Sequence, residues 1–149
     1  MPQFTMQSPV GFLTVTEEAG AITALHFGGQ RETPPPTPLL REARRQLTAY
    51  FDGTLTVFDL PLAPRGTAFQ LAVWQTLRAV PYGETRSYGD IAAAIGKPTA
   101  CRAVGMANHR NPIAIIVPCH RVVGKGGALT GYAGGLAVKQ ALLDLEQKK

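Results

Sequence analysis

The sequence predicts an α+β protein of two small domains: an N-terminal β-sheet with one helix, then a mostly helical half containing a helix-turn-helix. Three observations predict it. Residues 4–27 alternate apolar and polar side chains between turn-forming clusters, the period-two signature of strands. From residue 67 onward the apolar spacing becomes helical, with Ser or Thr at the starts. The segment Leu62-Ala63-Pro64-Arg65-Gly66 separates the two patterns, so the domains are read as 1–66 and 67–149. With 149 residues and 45% apolar composition, the chain is long enough to bury a real core.

Each element has a local reason. Residues 4–7, 11–16 and 21–27 read as antiparallel strands, broken by turns at Ser8-Pro9-Val10-Gly11 and Glu18-Ala19-Gly20. Residues 33–38 (Thr-Pro-Pro-Pro-Thr-Pro) have the composition of a stiff, extended connector. A helix over 39–51 places Leu40, Ala43, Leu47 and Tyr50 on one face, and Asp52-Gly53 ends it. Residues 54–60 read as another strand. Thr67 caps a helix through residue 80, with Phe69, Val73, Trp74 and Leu77 on one face. Ser87 caps a short helix over 88–95, Gly96-Lys97-Pro98 turns the chain, and Thr99 caps a second helix to about residue 109. Residues 113–117 form a buried strand or extended run, and 136–146 a final amphipathic helix.

Bulk features narrow the function classes. No stretch approaches the ~18 apolar residues of a membrane span. Residues 1–10 lack the basic and apolar regions of a secretory signal. Two cysteines make no disulfide framework, so a cytoplasmic protein with reduced thiols is expected. Residues 1–68 hold five Arg against six acidic residues, and residues 69–149 hold ten Lys+Arg against four. That asymmetry fits a polyanionic partner for the second half, and equally fits scattered solubilising charges.

The most informative residues are Pro118-Cys119-His120-Arg121-Val122, where a soft nucleophile sits beside an imidazole. A cysteine attacks as thiolate, so its pKa must be lowered or a base must take its proton. Neighbouring side chains on an extended strand point opposite ways, so the pair needs a bend or a bridging water. Asp144 and Glu146 are candidate carboxylates to orient the imidazole. The plain alternative makes Cys119 a small core residue. Two Cys and three His show no zinc-ligand spacing, and no resolving cysteine lies two residues away. Cys101, inside a helix, reads as packed. On that helix Ala100, Ala103 and Ala107 make a shallow face, Gly105 points to close approach, and Arg102 projects alone. Such a face suits the DNA minor groove, or else packs against the neighbouring helix.

Taken together these segments resemble the O6-alkylguanine-DNA alkyltransferases (methylated-DNA–protein-cysteine methyltransferases). The resemblance rests on Phe69…Val73-Trp74, Pro81-Tyr82-Gly83-Glu84-Thr85, Ser87-Tyr88-Gly89, Arg102-Ala103-Val104-Gly105, Asn111-Pro112, Pro118 to Val122, Gly131-Tyr132 and Lys139…Leu142-Leu143…Glu146. It implies an RNase H-like first domain and a winged-helix-like second one. It implies that Cys119 accepts an alkyl group from O6 of guanine in double-stranded DNA, with O4-alkylthymine open as a second substrate. His120 would be the base through a water, Glu146 its orienting carboxylate, Asn111 the holder of the turn, and Tyr88 a proton donor to N3. Arg102 would fill the stack behind the extruded nucleotide, with Ala103 and Gly105 on the same DNA-facing helix. Tyr132 would wall the pocket, backbone near Cys119, Val122 and Tyr132 would read the guanine edge, Gly131 would lie in the substrate-binding set, and Ala114 would bear on the tolerated alkyl size. The resemblance implies a single turnover, no cofactor and a monomer; some family members bind a structural zinc through N-terminal Cys and His, and with no Cys in residues 1–100 none is expected here. The rival reading is a binding module that recognises alkylated DNA and recruits other factors, as relatives lacking the cysteine do.

Overall fold

The computed structural model describes residues 1–132 and 134–147, so Lys148 and Lys149, counted above in the basic half, lie outside them. The chain divides into two compact units, Met1–Pro64 and Arg65–Lys149.

In the first unit, β1 (Gln3–Ser8), β2 (Gly11–Glu18) and β3 (Ala21–Phe27) form an antiparallel three-stranded sheet in the order β1-β2-β3. Alternation sets which side chains turn inward: Phe4, Leu13, Val15, Ile22 and Leu25 are buried. Against them packs α1 (Pro38–Phe51), through Leu40, Ala43, Leu47 and Tyr50. Thr37 caps α1 by accepting from the Leu40 N–H at 3.1 Å. Pro38 is therefore the first residue of the helix, where its missing N–H costs nothing, and the connector ends one residue earlier than its composition predicts. The connector is also strapped to β1: Thr33 N–H donates to the Thr5 carbonyl, and Thr5 N–H to Thr33 Oγ1.

Residues 54–60 are not a strand. The Gln46 amide takes both backbone groups of Asp59, donating to its carbonyl at 3.0 Å and accepting from its N–H at 2.8 Å. A side chain thus occupies the positions a strand neighbour would need. The chain meets the sheet just beyond, where Leu62 forms a parallel bridge to Ile22: the Ile22 N–H donates to the Pro61 carbonyl and the Ala63 N–H to that of Ile22, both at 2.8 Å.

The second unit opens with α2 (Ala68–Arg78), which a Thr67–Gln70 capping box starts. A two-residue strand β4 (Arg86–Ser87) leads into α3 (Tyr88–Ala94), where Ser87 and Asp90 form a second capping box. The chain turns at Gly96, whose φ of 77° suits glycine, and enters α4 (Cys101–His109). Thr99 does not cap α4. The Ala100 N–H closes a turn onto the Lys97 carbonyl, so Ala100 takes the cap position and no side chain serves it. The Trp74 indole donates to the Ala107 carbonyl at 2.9 Å and fastens α2 to α4. After α4 come a 3-10 turn at Cys119–Arg121, β5 (Val122–Val123), a second such turn at Lys125–Gly127, and α5 (Leu136–Gln147). β5 pairs in parallel with β4, Val122 facing Arg86.

Gln46 is 3% exposed, and Gln46→Ala removes both of its hydrogen bonds to the Asp59 backbone. It is expected to lower stability by about 1–3 kcal/mol, read from urea unfolding.

Candidate active site

All the residues singled out for chemistry lie in the second unit. The approach to Cys119 is a tight turn, in place of the strand expected over 113–117: Val117 N–H donates to the Ile113 carbonyl at 3.0 Å, and Ile116 N–H to that of Ala114 at 2.8 Å. Asn111 builds this turn from one side. Its Oδ1 accepts from the Ile113 N–H at 3.0 Å, and its Nδ2 donates to the Val117 carbonyl at 2.8 Å. An apolar run has strand composition, but an amide at its mouth satisfies the backbone groups a strand would pair. Ile115 accordingly sits at φ 70°, a conformation that costs a β-branched residue about 1–3 kcal/mol and persists only where neighbours hold it.

The turn delivers Cys119 into a 3-10 helix with His120 and Arg121, which supplies the bend that an adjacent Cys–His pair requires. Cys119 is buried, with 4% exposure. Asn108, on the inner face of α4, donates to the Cys119 carbonyl at 3.3 Å and fixes its backbone. His120 is fully buried, and its Nε2 lies 2.6 Å from Glu146 Oε2 on α5. Arg121 grips the same carboxylate, Nε to Oε1 at 2.8 Å and Nη2 to Oε2 at 3.1 Å. Its Nη1 donates to the Val80 carbonyl at 2.7 Å, and its guanidinium lies 5.7 Å from the centre of the Tyr82 ring. The last turn of α5 is clamped by Gln147, which donates to the Gly83 carbonyl at 2.8 Å. A side chain at Gly83 would bring Cβ within 3.3 Å of the Glu146 carbonyl, at a φ of 82°. Asp144, the other candidate carboxylate, is exposed and accepts from Gln140.

Burial pushes the Cys119 thiol above its ordinary 9.0, opposed by the Asn111 amide, the Lys139 charge, its own N–H and the Tyr132 hydroxyl. Burial likewise pushes His120 below 6.5. Glu146 pulls it up by hydrogen bond and charge, while Arg121 and Lys139 push it further down. At neutral pH the pair therefore rests as a thiol beside a neutral imidazole, which is the form able to accept a proton. His120 Nδ1 is buried and has no hydrogen-bond partner among the described atoms, so it is the nitrogen left for that proton.

The remaining predicted residues surround this centre unevenly. Tyr132, Ala114 and Val122 are buried, whereas Gly131 is exposed. Tyr88, at the start of α3, is half-buried and its hydroxyl pairs with that of Thr130. On α4 the small residues do not form one surface. Arg102 and Ala103 are exposed, but Ala107 is buried, because α2 covers that end of the helix, the Trp74 indole donating to the Ala107 carbonyl. Gly105 is not sterically required: a Cβ there meets Tyr88 at an ordinary 3.8 Å. Cys101 is exposed, contrary to its reading as a packed residue.

Three functional residues had no assigned role in the sequence reading. Arg121 and Lys139 sit inside recognised motifs, yet nothing local says that a cation is buried. Their helical or turn spacing from Glu146 and Cys119 was the available signal. Asn108 resembles any helix C-terminal Asn until its carbonyl partner is seen.

The comparisons with known proteins agree with this geometry. Residues 68–148 match the family model described as 6-O-methylguanine DNA methyltransferase, DNA binding domain, and residues 3–64 match its ribonuclease-like domain. The chain is 53% identical over 147 residues to a methylated-DNA–protein-cysteine methyltransferase of Methanosarcina acetivorans, covering 94% of each. It is 49% identical to the constitutive enzyme of that name from Bacillus subtilis, over 96% of this chain and 93% of the relative. The solved O6-methylguanine methyltransferase of Mycobacterium tuberculosis matches with a TM-score of 0.88 at 52% identity, over 99% of this chain and 93% of that one. A structure of the OGT of the same organism in complex with DNA matches with a TM-score of 0.88 at 53% identity, over 96% and 91%.

Two outcomes test the buried ion cluster. Glu146→Ala leaves the Arg121 charge buried without its carboxylate and is expected to cost about 3–5 kcal/mol, measured by chemical unfolding. For His120, the unfolded chain takes up a proton near 6.5 while the folded protein resists until lower pH. Stability should hold above 6.5 and be lost as pH falls through the folded value, with a shallower loss in His120→Gln, measured as unfolding free energy against pH.

Proposed function

The chain belongs to the O6-alkylguanine-DNA alkyltransferase family, and on that premise we propose that Cys119 is the residue that takes the alkyl group. The family's activity is direct, irreversible repair of DNA: the alkyl group of O6-alkylguanine passes to a protein cysteine, and guanine is restored in place. The observation that carries the assignment is Cys119 buried beside a neutral His120 whose other nitrogen is held by Glu146 at 2.6 Å.

The burial of Cys119 and the His120–Glu146 contact support one course for the step. His120 Nδ1 takes the thiol proton through a water, and Glu146 holds the imidazolium that forms. Sulfur attacks the alkyl carbon in line, the S–C bond forms as the C–O6 bond breaks, and the electron pair stays on guanine. Tyr88 gives that anion a proton at N3. Asn111 and the Tyr132 hydroxyl lower the cost of the thiolate in a buried site, as does the Lys139 charge. A thioether is a poor leaving group, so each molecule acts once.

O6 of a stacked guanine cannot meet a buried sulfur, so the nucleotide must leave the duplex. The exposed Arg102 and Ala103 of α4 suit the groove, Arg102 taking the space the nucleotide vacates. Tyr132 walls the pocket, backbone near Cys119, Val122 and Tyr132 reads the guanine edge, and Ala114 bears on the room for larger groups. A DNA-repair role and reduced thiols fit a cytoplasmic protein; among the described residues no helix is long and apolar enough to cross a membrane.

Incubation with duplex DNA containing O6-methylguanine should yield protein heavier by one methylene, carried on the peptide with Cys119 and missing in Cys119→Ser. Binding of that DNA with no adduct would support the rival reading, a recognition module, and sink this one.

A further inference from the structure

Thr130 carries no role in the chemistry above, yet it joins two residues that do. Its Oγ1 pairs with the Tyr88 hydroxyl and lies 3.4 Å from Lys139 Nζ. The same Nζ is 3.4 Å from the Thr130 carbonyl, and Lys139 has no exposed surface. Between two hydroxyls either oxygen is able to donate, so the Tyr88–Thr130 bond alone has no direction. Lys139 biases it. An ammonium only donates, so it occupies a lone pair of Thr130 Oγ1 and polarises that hydroxyl as a donor. In the arrangement this favours, the Tyr88 oxygen accepts from Thr130 and its phenolic hydrogen is free for a ligand.

We propose that Thr130 is a positioning residue for alkyl transfer, the link in a donor chain from Lys139 Nζ through Thr130 Oγ1 to Tyr88 that aims the Tyr88 proton at N3 of the extruded base. This rests on the reading of Tyr88 as the proton donor. The balance is complete without a further reactant. As the S–C bond forms and the C–O6 bond breaks, the guanine anion takes the phenolic proton at N3. The phenolate left on Tyr88 keeps the Thr130 hydrogen bond and faces the Lys139 charge beyond it. His120 holds the thiol proton. After guanine returns to the duplex, solvent removes one proton from His120 and restores one to Tyr88. Lys139 thus supports both ends of the reaction, the thiolate at the start and the phenolate at the end.

Single-turnover transfer on duplexes with O6-methylguanine and with its 3-deaza analogue, which has carbon in place of N3, tests the chain. Thr130→Val is expected to slow transfer from O6-methylguanine by about tenfold, within the range that directed proton donation supplies, with Thr130→Ser within about twofold of the parent. Thr130→Ala should behave as the valine variant does. On the 3-deaza duplex, Thr130→Val and the parent should react at the same rate, and in a Tyr88→Phe background Thr130→Val should add no further loss. A Thr130→Val protein equally slowed on both duplexes has a packing defect, and the proposal falls. If Tyr88→Phe is slow while Thr130→Val keeps the parental rate, the Thr130 proposal alone is overturned. If Tyr88→Phe itself reacts at the parental rate, the assignment of Tyr88 as donor fails beneath it.

Discussion

One buried carboxylate governs the catalytic unit. Glu146 meets His120 and Arg121 at once, with 2.6 Å to the imidazole and 2.8 Å to the guanidinium. Arginine is always charged, so the Glu146–Arg121 pair is already neutral before His120 is counted. A protonated His120 would place a net positive charge among buried side chains. That explains why the imidazole stays neutral although a carboxylate touches it. On the proposed mechanism, the extra charge is balanced by the thiolate that forms beside it. The same carboxylate, through Arg121, also fixes the end of α2 at the Val80 carbonyl.

Burial keeps Cys119 quiet. A thiol held above its ordinary pKa offers little thiolate to stray oxidants or alkylating agents. Asn111, Lys139 and Tyr132 each favour the anion, but not enough to overcome burial. The site is thus poised with its stabilising groups in place and its nucleophile protonated.

Much of the fold was legible because local and tertiary preferences agree. The three strands and α1 have the right period, and Thr67 and Ser87 announce α2 and α3 by capping boxes whose Gln70 and Asp90 lie three residues on. Cys119, His120, Glu146 and Asn111 were legible from motif, and the structure brings these four together. The two misread extended segments share a cause: side-chain amides standing in for backbone. Gln46 replaces a strand partner along 54–60, and Asn111 closes 113–117 into a turn where five apolar residues predict extension. Period and composition describe a segment's own preferences, and neither reveals a partner arriving from elsewhere. Lys139 was hidden for the same reason. On a helical wheel it is a cation on an amphipathic helix; only the fold shows that it faces Thr130 and Cys119.

The clamp on α5 has a consequence for how the protein comes into being. His120 and Glu146 are 26 positions apart, so a ribosome adding residues from the N-terminus releases the thiol and imidazole well before the carboxylate. Until Glu146 arrives, Arg121 has no anion, and the turn at Cys119 lacks its anchor to α5. Assembly around Cys119 therefore waits on α5: the turn that holds the thiol and the imidazole gains its buried carboxylate only after residue 146 has been made.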